Sequence, residues 1–194
     1  MKRDVPHIRV AKRDDIAAIE AMHLLSVQKL VSRDYSPDQI DAFVSHLGTY
    51  DPSLINDGTY FVIEQEGAVI ASGGWSWRLP QFEAAGAGKG DGGKGEGGFG
   101  LSPDSAKIRS IFVHPQHTRR GLASRLVRLS EEQAAVAGCC LLELWATLTG
   151  VPLYLSLGYE EVGRVALEAP DVAPLVSVHM AKPLSVDAPE ISAA

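Results

Sequence analysis

Apolar residues in the first third of the chain recur at intervals that predict one strand followed by two helices. The strand is predicted at Val5–Val10. A helical repeat of apolar residues follows Asp14 and Asp15, whose negative charges favour a helix N-terminus. A second helix is predicted to start at 36–39, where Ser-Pro-Asp-Gln combines a capping box with proline in the first turn, and to end before Gly48.

Short apolar runs bounded by turn residues predict strands in the rest of the chain. Thr59–Glu64 and Ala68–Trp77 flank Glu66-Gly67, so we expect them to pair as a hairpin. Helices are predicted at 121–137 and 150–157. Four further strands are predicted at 106–113, 140–145, 159–167 and 172–180. Strands and helices therefore alternate in the second half, which predicts an α/β protein with a mixed sheet.

Length and composition fit one globular domain. The 194 residues are 45% hydrophobic and 22% charged, which is an ordinary composition for a single folded unit. A net charge of −6 without a basic run argues against a partner that is nucleic acid or an anionic membrane. No apolar stretch approaches the length of about 18 residues that a membrane span requires. Cys139 and Cys140 lie between apolar neighbours, which favours buried reduced thiols, and we expect a cytoplasmic protein.

Nine of the 19 glycines fall between Gly86 and Gly100, and they match two phosphate-binding patterns. Gly90–Gly95 satisfies GxGxxG, and Gly88–Lys94 satisfies most of GxxxxGK. Neither match has the strand before it and the helix after it that would hold a phosphate at a helix N-terminus. We therefore interpret 80–104 as a flexible insertion and reject nucleotide binding there.

A second anion-binding pattern does have this context. The strand ending at Val113 continues through His114-Pro115 into 118–124, Thr-Arg-Arg-Gly-Leu-Ala-Ser, at the start of the long helix. A helix N-terminus with unpaired amides, a glycine and two arginines is typical of a pyrophosphate cradle, although a helix start with solvent-facing arginines would look the same locally. His114 and His117 have no second ligand at metal-binding spacing, so no metal site is predicted.

The chain resembles the GNAT superfamily of acetyl-CoA-dependent N-acetyltransferases when this segment is read together with a second one. VHPQHTRRGLAS at 113–124 is similar to the strand and R/Q-x-x-G-x-G/A loop of that family. PLYLSLGYEEVG at 152–163 is similar to its FYxxxGF segment. The resemblance implies a single-domain α/β fold over 5–182, in which helices flank a mixed, mostly antiparallel central sheet. It places the insertion near the acceptor side, and we expect 183–194 to be a disordered tail.

The resemblance also implies acetyl-CoA as the cosubstrate and assigns residues to it. Backbone amides at the helix start would hold the pyrophosphate: Arg119, Arg120, Gly121, Leu122, Ala123 and Ser124. Ile111, Phe112 and Val113 would line the pantetheine arm, with the Val113 amide near the thioester carbonyl. Thr147 stands where the family often has an asparagine that contacts coenzyme A, and Tyr154 where it has the tyrosine that protonates the departing thiolate.

Departures from the family pattern leave the base and the acceptor site open. Thr118 replaces the first Arg or Gln of the loop motif, and Arg109 stands near the place of a fourth-strand carboxylate. Candidate bases are Glu143, Glu83 and Asp104, each of which would be a solvated or ion-paired carboxylate otherwise.

Four residues are candidates for the acceptor side. Arg109 and Arg78 would bind an acidic group on the acceptor or lie on the surface. Trp75 and Trp77, on one side of a strand, would wall the acceptor pocket or pack in the core.

The resulting hypothesis is an N-acetyltransferase that transfers the acetyl group of acetyl-CoA to a primary amine by direct attack in a ternary complex. The acceptor would be a small-molecule or peptide amine, and the protein a monomer or homodimer. The alternative is a non-catalytic module of the same fold that binds an acyl-CoA or another small ligand, which the missing carboxylate makes plausible.

Overall fold

A computed structural model describes residues 5–47, 51–78, 105–169 and 172–184. Within them the chain forms seven strands, β1 (His7–Val10), β2 (Tyr60–Gln65), β3 (Ala68–Ser76), β4 (Ser105–Val113), β5 (Leu141–Thr147), β6 (Glu160–Ala169) and β7 (Val172–Pro183). The same residues contain five α-helices, α1 (Ile16–Leu30), α2 (Pro37–Ala42), α3 (Ser53–Asn56), α4 (Leu122–Val136) and α5 (Val151–Ser156). No helix in this part of the chain is long and apolar enough to cross a bilayer.

The strands form one sheet in the order β1-β2-β3-β4-β5-β7-β6. Every neighbouring pair is antiparallel except β4 and β5, which are parallel and are connected through α4. The expected α/β fold with a mixed, mostly antiparallel sheet and flanking helices is therefore confirmed.

The predicted hairpin between β2 and β3 turns at Glu66-Gly67. Both residues have positive φ, 54° and 77°, which is the backbone of a two-residue type I′ turn. This turn matches the right-handed twist of the two strands and fixes their register.

Helices cover both faces of the sheet. Phe61 and Ile63 of β2 belong to the buried cluster under α4. Tyr60 and Val62, which alternate with them, belong to a separate cluster with Ile19 of α1. Because successive side chains of a strand point to opposite faces, the sheet is buried on both sides, and the site must open at an edge or a gap between strands.

Several local features differ from the sequence prediction. Val5 lies outside β1, α3 was not predicted, and Cys140 is exposed although Cys139 is buried. α3 is a single turn of four residues, too short to show a helical repeat of apolar positions. At the other end of the chain β7 reaches Pro183, and the insertion at 80–104 and residues 185–194 lie outside the described residues.

Candidate active site

Strands β4 and β5 separate after a short paired segment. Their parallel register runs from Ser105 opposite Leu141 to Lys107 opposite Glu143, and the described pairing ends there. Further along β4, Ser110 has φ 50° and faces a shift of register in β3, which marks a bulge. A bulge bends its strand and increases the local twist. The second half of β4 therefore diverges from β5 and opens a cleft in the sheet.

The amide of Val113 faces this cleft. The neighbouring His114 amide donates to the Ile70 carbonyl of β3 at 2.9 Å, and Val113 lies opposite Ala71. Alternate residues of an antiparallel strand direct their amides to opposite edges. The Val113 N–H therefore points away from β3, to the side from which β5 has separated.

A cavity of about 1090 Å³ occupies the cleft and extends beyond it. One wall is 108–113 of β4, and a second is the end of β5 with the turn and helix after it, from Leu144 to Ser156. The start of α4 closes one end, and residues from the region of α1 and α2 line the other. The volume is at the upper end of the usual range for small-molecule sites, so there is space for a large ligand or for two ligands together.

The start of α4 presents unpaired amides to the cavity. Gly121 is the N-cap and has φ 75°, Arg119 has φ 63°, and no side chain caps the helix. The first amides of a helix have no carbonyl partner within it, so those of Leu122–Ser124 are available to an anion. A Cβ at Gly121 would meet no atom of the described residues within 4 Å, so the positive φ, rather than a close protein contact, favours glycine here.

The side chain of Arg120 turns towards His117. Arg120 Nη1 lies 3.0 Å from His117 Nδ1. Burial, with Arg120 and His114 nearby, lowers the pKa of His117, which suits a neutral ring that accepts this hydrogen bond. His117 lines the cavity, whereas Arg120 does not, so the contact of Arg120 with the cavity is indirect, through His117.

Tyr154 lies on α5 with its side chain buried against the cavity. Its ring packs edge-on against Tyr159 with centroids 5.7 Å apart, and a Cβ at Gly150 would come within 3.4 Å of its Cε2 atom. Burial raises the pKa of Tyr154 well above that of a free phenol. The hydroxyl therefore stays protonated at physiological pH and can act as a donor.

The cavity brings together most of the residues assigned from the sequence. Tyr154, Thr147 and Arg109 line it. So do the predicted pantetheine and pyrophosphate residues other than Arg120: Ile111, Phe112, Val113, Arg119, Gly121, Leu122, Ala123 and Ser124.

Glu143 is not placed to act as the base. It does not line the cavity, and it forms an ion pair with Lys107 and a hydrogen bond with His179, whose Nε2 lies 3.0 Å from Glu143 Oε1. Hydrogen bonds from His179 and Lys107 outweigh burial and lower the pKa of Glu143 to about 2. A carboxylate so strongly held in its ionised form is a weak proton acceptor. The described structure therefore does not support Glu143 as the base, and that assignment stays a prediction.

Trp75, Trp77 and Arg78 also lie away from the cavity. Trp75 is buried in the core, and the Trp77 ring packs edge-on against it at 4.5 Å while remaining 46% exposed. Arg78 forms a two-pronged pair with Asp57 on the surface, at 2.9 and 2.8 Å. In the described residues these side chains serve packing and surface charge, and their assignment to the acceptor side stays a prediction.

Two residues that the sequence analysis missed line the other end of the cavity. Tyr35 donates to the Val176 carbonyl at 2.6 Å and accepts from the Leu148 amide at 3.0 Å. Asp51 pairs with Arg109 at 3.1 Å. A local signal for Asp51 existed, because Asp-Pro-Ser is typical of a helix start, but its contact with Arg109 has no sequence signature.

The fold and the cavity define an α/β protein in which a helix N-terminus faces a cavity beside a split in the sheet. A model of the acetyltransferase (GNAT) family matches residues 24–159, so the chain belongs to this family of N-acetyltransferases, whose cosubstrate is acetyl-CoA. A comparison with curated proteins gives no match.

Solved structures share the fold at low sequence identity. A GCN5-related N-acetyltransferase from Rhodopseudomonas palustris superposes with a TM-score of 0.67 at 20% identity, covering 95% of this chain and 99% of that one. The PaiA N-acetyltransferase from Thermoplasma acidophilum, solved with coenzyme A, gives 0.63 at 12% identity, covering 92% and 99%. YncA from Salmonella typhimurium, a putative acetyltransferase solved with acetyl-CoA, gives 0.59 at 19% identity, covering 93% and 94%.

Proposed function

We propose that this protein transfers the acetyl group of acetyl-CoA to the primary amine of a small molecule or peptide, by direct attack in a ternary complex. The observation that carries the proposal is the continuity of the cavity. One space of about 1090 Å³ joins the start of α4, the open half of β4, Tyr154 and the region beside Asp51. Such a space allows the thioester and the amine to meet without a covalent enzyme intermediate.

Each part of the cofactor end has a role that its chemistry supports. The amides from Arg119 to Ser124 would bind the pyrophosphate, and Ile111, Phe112 and Thr147 would contact the rest of coenzyme A. The Val113 N–H, directed into the cleft, would stabilise the negative charge that develops on the thioester oxygen during attack.

The reaction needs proton transfer at both ends. An amine with a pKa near 10 is only about 0.1% neutral at pH 7, and only the neutral form attacks. The nitrogen forms a bond to the acetyl carbon, the carbon–sulfur bond breaks, and the ammonium loses two protons overall. One proton is returned to the thiolate, for which Tyr154 is the donor, and the other leaves to solvent.

The test is a calorimetric titration of acetyl-CoA into the wild type, Gly121→Glu and Gly138→Glu. Gly138 follows the other end of α4 and has φ 89°, and a Cβ placed there would meet no protein atom within 4 Å. It therefore matches Gly121 in backbone strain and in added charge. We expect binding to the wild type and to Gly138→Glu, and a loss of at least about tenfold in Gly121→Glu because a carboxylate enters an anion site.

Two results would contradict the proposal. No binding of acetyl-CoA by the wild type excludes the cofactor assignment. An equal loss of affinity in both variants would show that strain in α4, rather than the cradle, governs binding.

A non-catalytic acyl-CoA-binding module remains the second candidate, and one observation favours it. Among the described residues, β4 carries Arg109 where many family members carry a carboxylate, and Glu143 is held in an ion pair and a hydrogen bond. Binding of acetyl-CoA without release of coenzyme A over a broad panel of amines would support the module. Release with any amine excludes it.

A further inference from the structure

The acceptor end of the cavity contains an ion pair shielded from water. Arg109 Nη2 donates to Asp51 Oδ2 at 3.1 Å, and the two side chains are only 10% and 12% exposed. The second oxygen, Asp51 Oδ1, accepts from the Ser53 amide at 2.9 Å. The carboxylate is thus fixed from both sides, by β4 and by the first turn of α3.

Apolar side chains line the same cavity as this pair. Val31 and Leu175 are buried in one cluster, with Phe43 packed against it, and all three line the cavity. Two more charged residues in the described lining of this region, Arg33 and Asp34, are exposed, and Asp34 accepts from the Thr149 hydroxyl. The shielded part of the acceptor end therefore presents a guanidinium paired with a carboxylate, in a cavity whose described lining also includes apolar side chains.

This charge pattern discriminates between classes of amine. A simple monoamine brings a positive charge close to the Arg109 guanidinium and has no negative charge of its own. Its binding is therefore unfavourable where water is excluded. An α-amino acid brings an ammonium and a carboxylate on one carbon, so each charge meets its opposite and the site stays neutral. A guanidinium has five donors and can serve two carboxylates at once. Arg9 does so in this chain, binding both Asp15 and Glu64.

We propose that the acceptor is an α-amino acid with an apolar side chain. Arg109 binds its carboxylate, Asp51 binds its ammonium, and Val31, Phe43 and Leu175 contact its side chain. This inference rests on the proposed acetyl transfer and specifies its second substrate. Asp51 accepts a hydrogen bond from the ammonium and orients the nitrogen, and the proton that the nitrogen loses before attack passes to solvent. The neutral nitrogen attacks the thioester as described above.

The experiment compares amino acids with the amines that lack only the carboxylate. Release of coenzyme A is measured with leucine, valine and phenylalanine, with isopentylamine, isobutylamine and phenethylamine, and with the methyl esters of the three amino acids. We expect kcat/KM for the free amino acids to exceed that for the matching amines and esters by at least about tenfold, because the latter leave the charges of the pair unmatched.

Variants assign this preference to the two residues. Arg109→Gln is expected to lower kcat/KM for the amino acids by at least about tenfold and to leave that for the amines unchanged or higher, because the guanidinium that repels their charge is gone. Asp51→Asn is expected to lower both. Arg9→Gln breaks another partly buried arginine–carboxylate pair, away from the main cavity, and is expected to leave the preference unchanged. Acetyl-CoA affinity and the melting temperature of each variant show whether it is folded.

The outcomes separate this inference from the proposed function. Acetyl-CoA binding with equal or better turnover of the decarboxylated amines or esters overturns the inference and leaves acetyl transfer standing. Acetyl-CoA binding without turnover of any of the amino acids overturns it as well. Failure of acetyl-CoA to bind overturns the proposed function itself. The wild-type substrate comparison decides the question even if a variant fails to fold.

Discussion

Tyr154 is the donor that we propose for the departing thiolate, and its place against the cavity supports that role. Burial raises the pKa of its phenol, so the hydroxyl is protonated at neutral pH and cannot act as a base there. We predict that Tyr154→Phe lowers kcat by roughly 10²-fold, a typical contribution of a general acid, while acetyl-CoA affinity changes by less than about threefold. Steady-state kinetics and calorimetry measure the two quantities.

Tyr159 supplies the matched control for this prediction. It is equally buried and packs against Tyr154, but it does not line the cavity. Tyr159→Phe should leave kcat within about threefold of the wild type. If both variants lose activity to the same extent, the effect arises from packing of α5 and the donor role of Tyr154 is wrong.

At the residue scale, the sequence predicts the residues that belong to contiguous motifs, and it does not predict contacts between distant residues. Gly121 and Tyr154 stand in contiguous motifs, so their positions were predictable, and both line the cavity. Asp51 and Arg109 are 58 residues apart, and their contact depends on how α3 is placed against β4. Nothing in the periodicity of either segment carries that information.

At the scale of elements, the closed end of the cleft is held by charged side chains. Lys107, Glu143 and His179 come from β4, β5 and β7, and Lys107 and His179 are almost fully buried. The indole of Trp145 stacks on His179 with centroids 4.9 Å apart. These contacts join the three strands just before β4 and β5 separate, so Glu143 acts as a structural link between strands.

This link predicts a particular dependence of stability on pH. The pKa of Glu143 is lowered from 4.5 to about 2, so its ionised form stabilises the fold above pH 4.5. The stabilisation, about 3 kcal/mol at 1.36 kcal/mol per pKa unit, is lost as the pH falls from about 4.5 towards 2. Glu143→Gln resembles the protonated state, so the wild type should be more stable by about this amount at pH 7 and the difference should shrink below pH 4.5.

Denaturant unfolding at pH 7, 4 and 3 measures this difference. Glu161→Gln is the control, because that carboxylate pairs with Arg164 on the exposed edge strand and contributes little. A gap between wild type and Glu143→Gln that stays constant with pH would show that packing, rather than ionisation, accounts for the role of Glu143.

Most elements followed from sequence because each has its own signal. The hairpin was predictable from Glu66-Gly67, and α2 from its capping box, in which the Ser36 hydroxyl accepts from the Gln39 amide at 3.3 Å. The separation of β4 from β5 was not predictable from periodicity. It depends on a bulge at Ser110. This residue has a positive φ although it is not glycine, so the sequence does not indicate the bulge.

At the scale of the whole molecule, the cofactor end is assembled from two stretches of the second half of the chain. Its described lining comes from β4 with the start of α4 and from β5 with α5. Gly86–Gly100 lies outside both. We predict that deleting these residues changes acetyl-CoA affinity by less than about threefold, which calorimetry can measure. A large loss of affinity would assign the glycine-rich segment to the cofactor site after all.

The hydroxyl of Tyr35 forms hydrogen bonds with two residues that are synthesised much later than Tyr35 itself. Its partners, Leu148 and Val176, lie 113 and 141 residues further along the chain. A ribosome has therefore produced most of the sheet before either partner exists, and the last of them is supplied by β7. The wall of the cavity near Tyr35 can close only after β7 has been synthesised, so a nascent chain completes this wall later than it can pair β1 to β4.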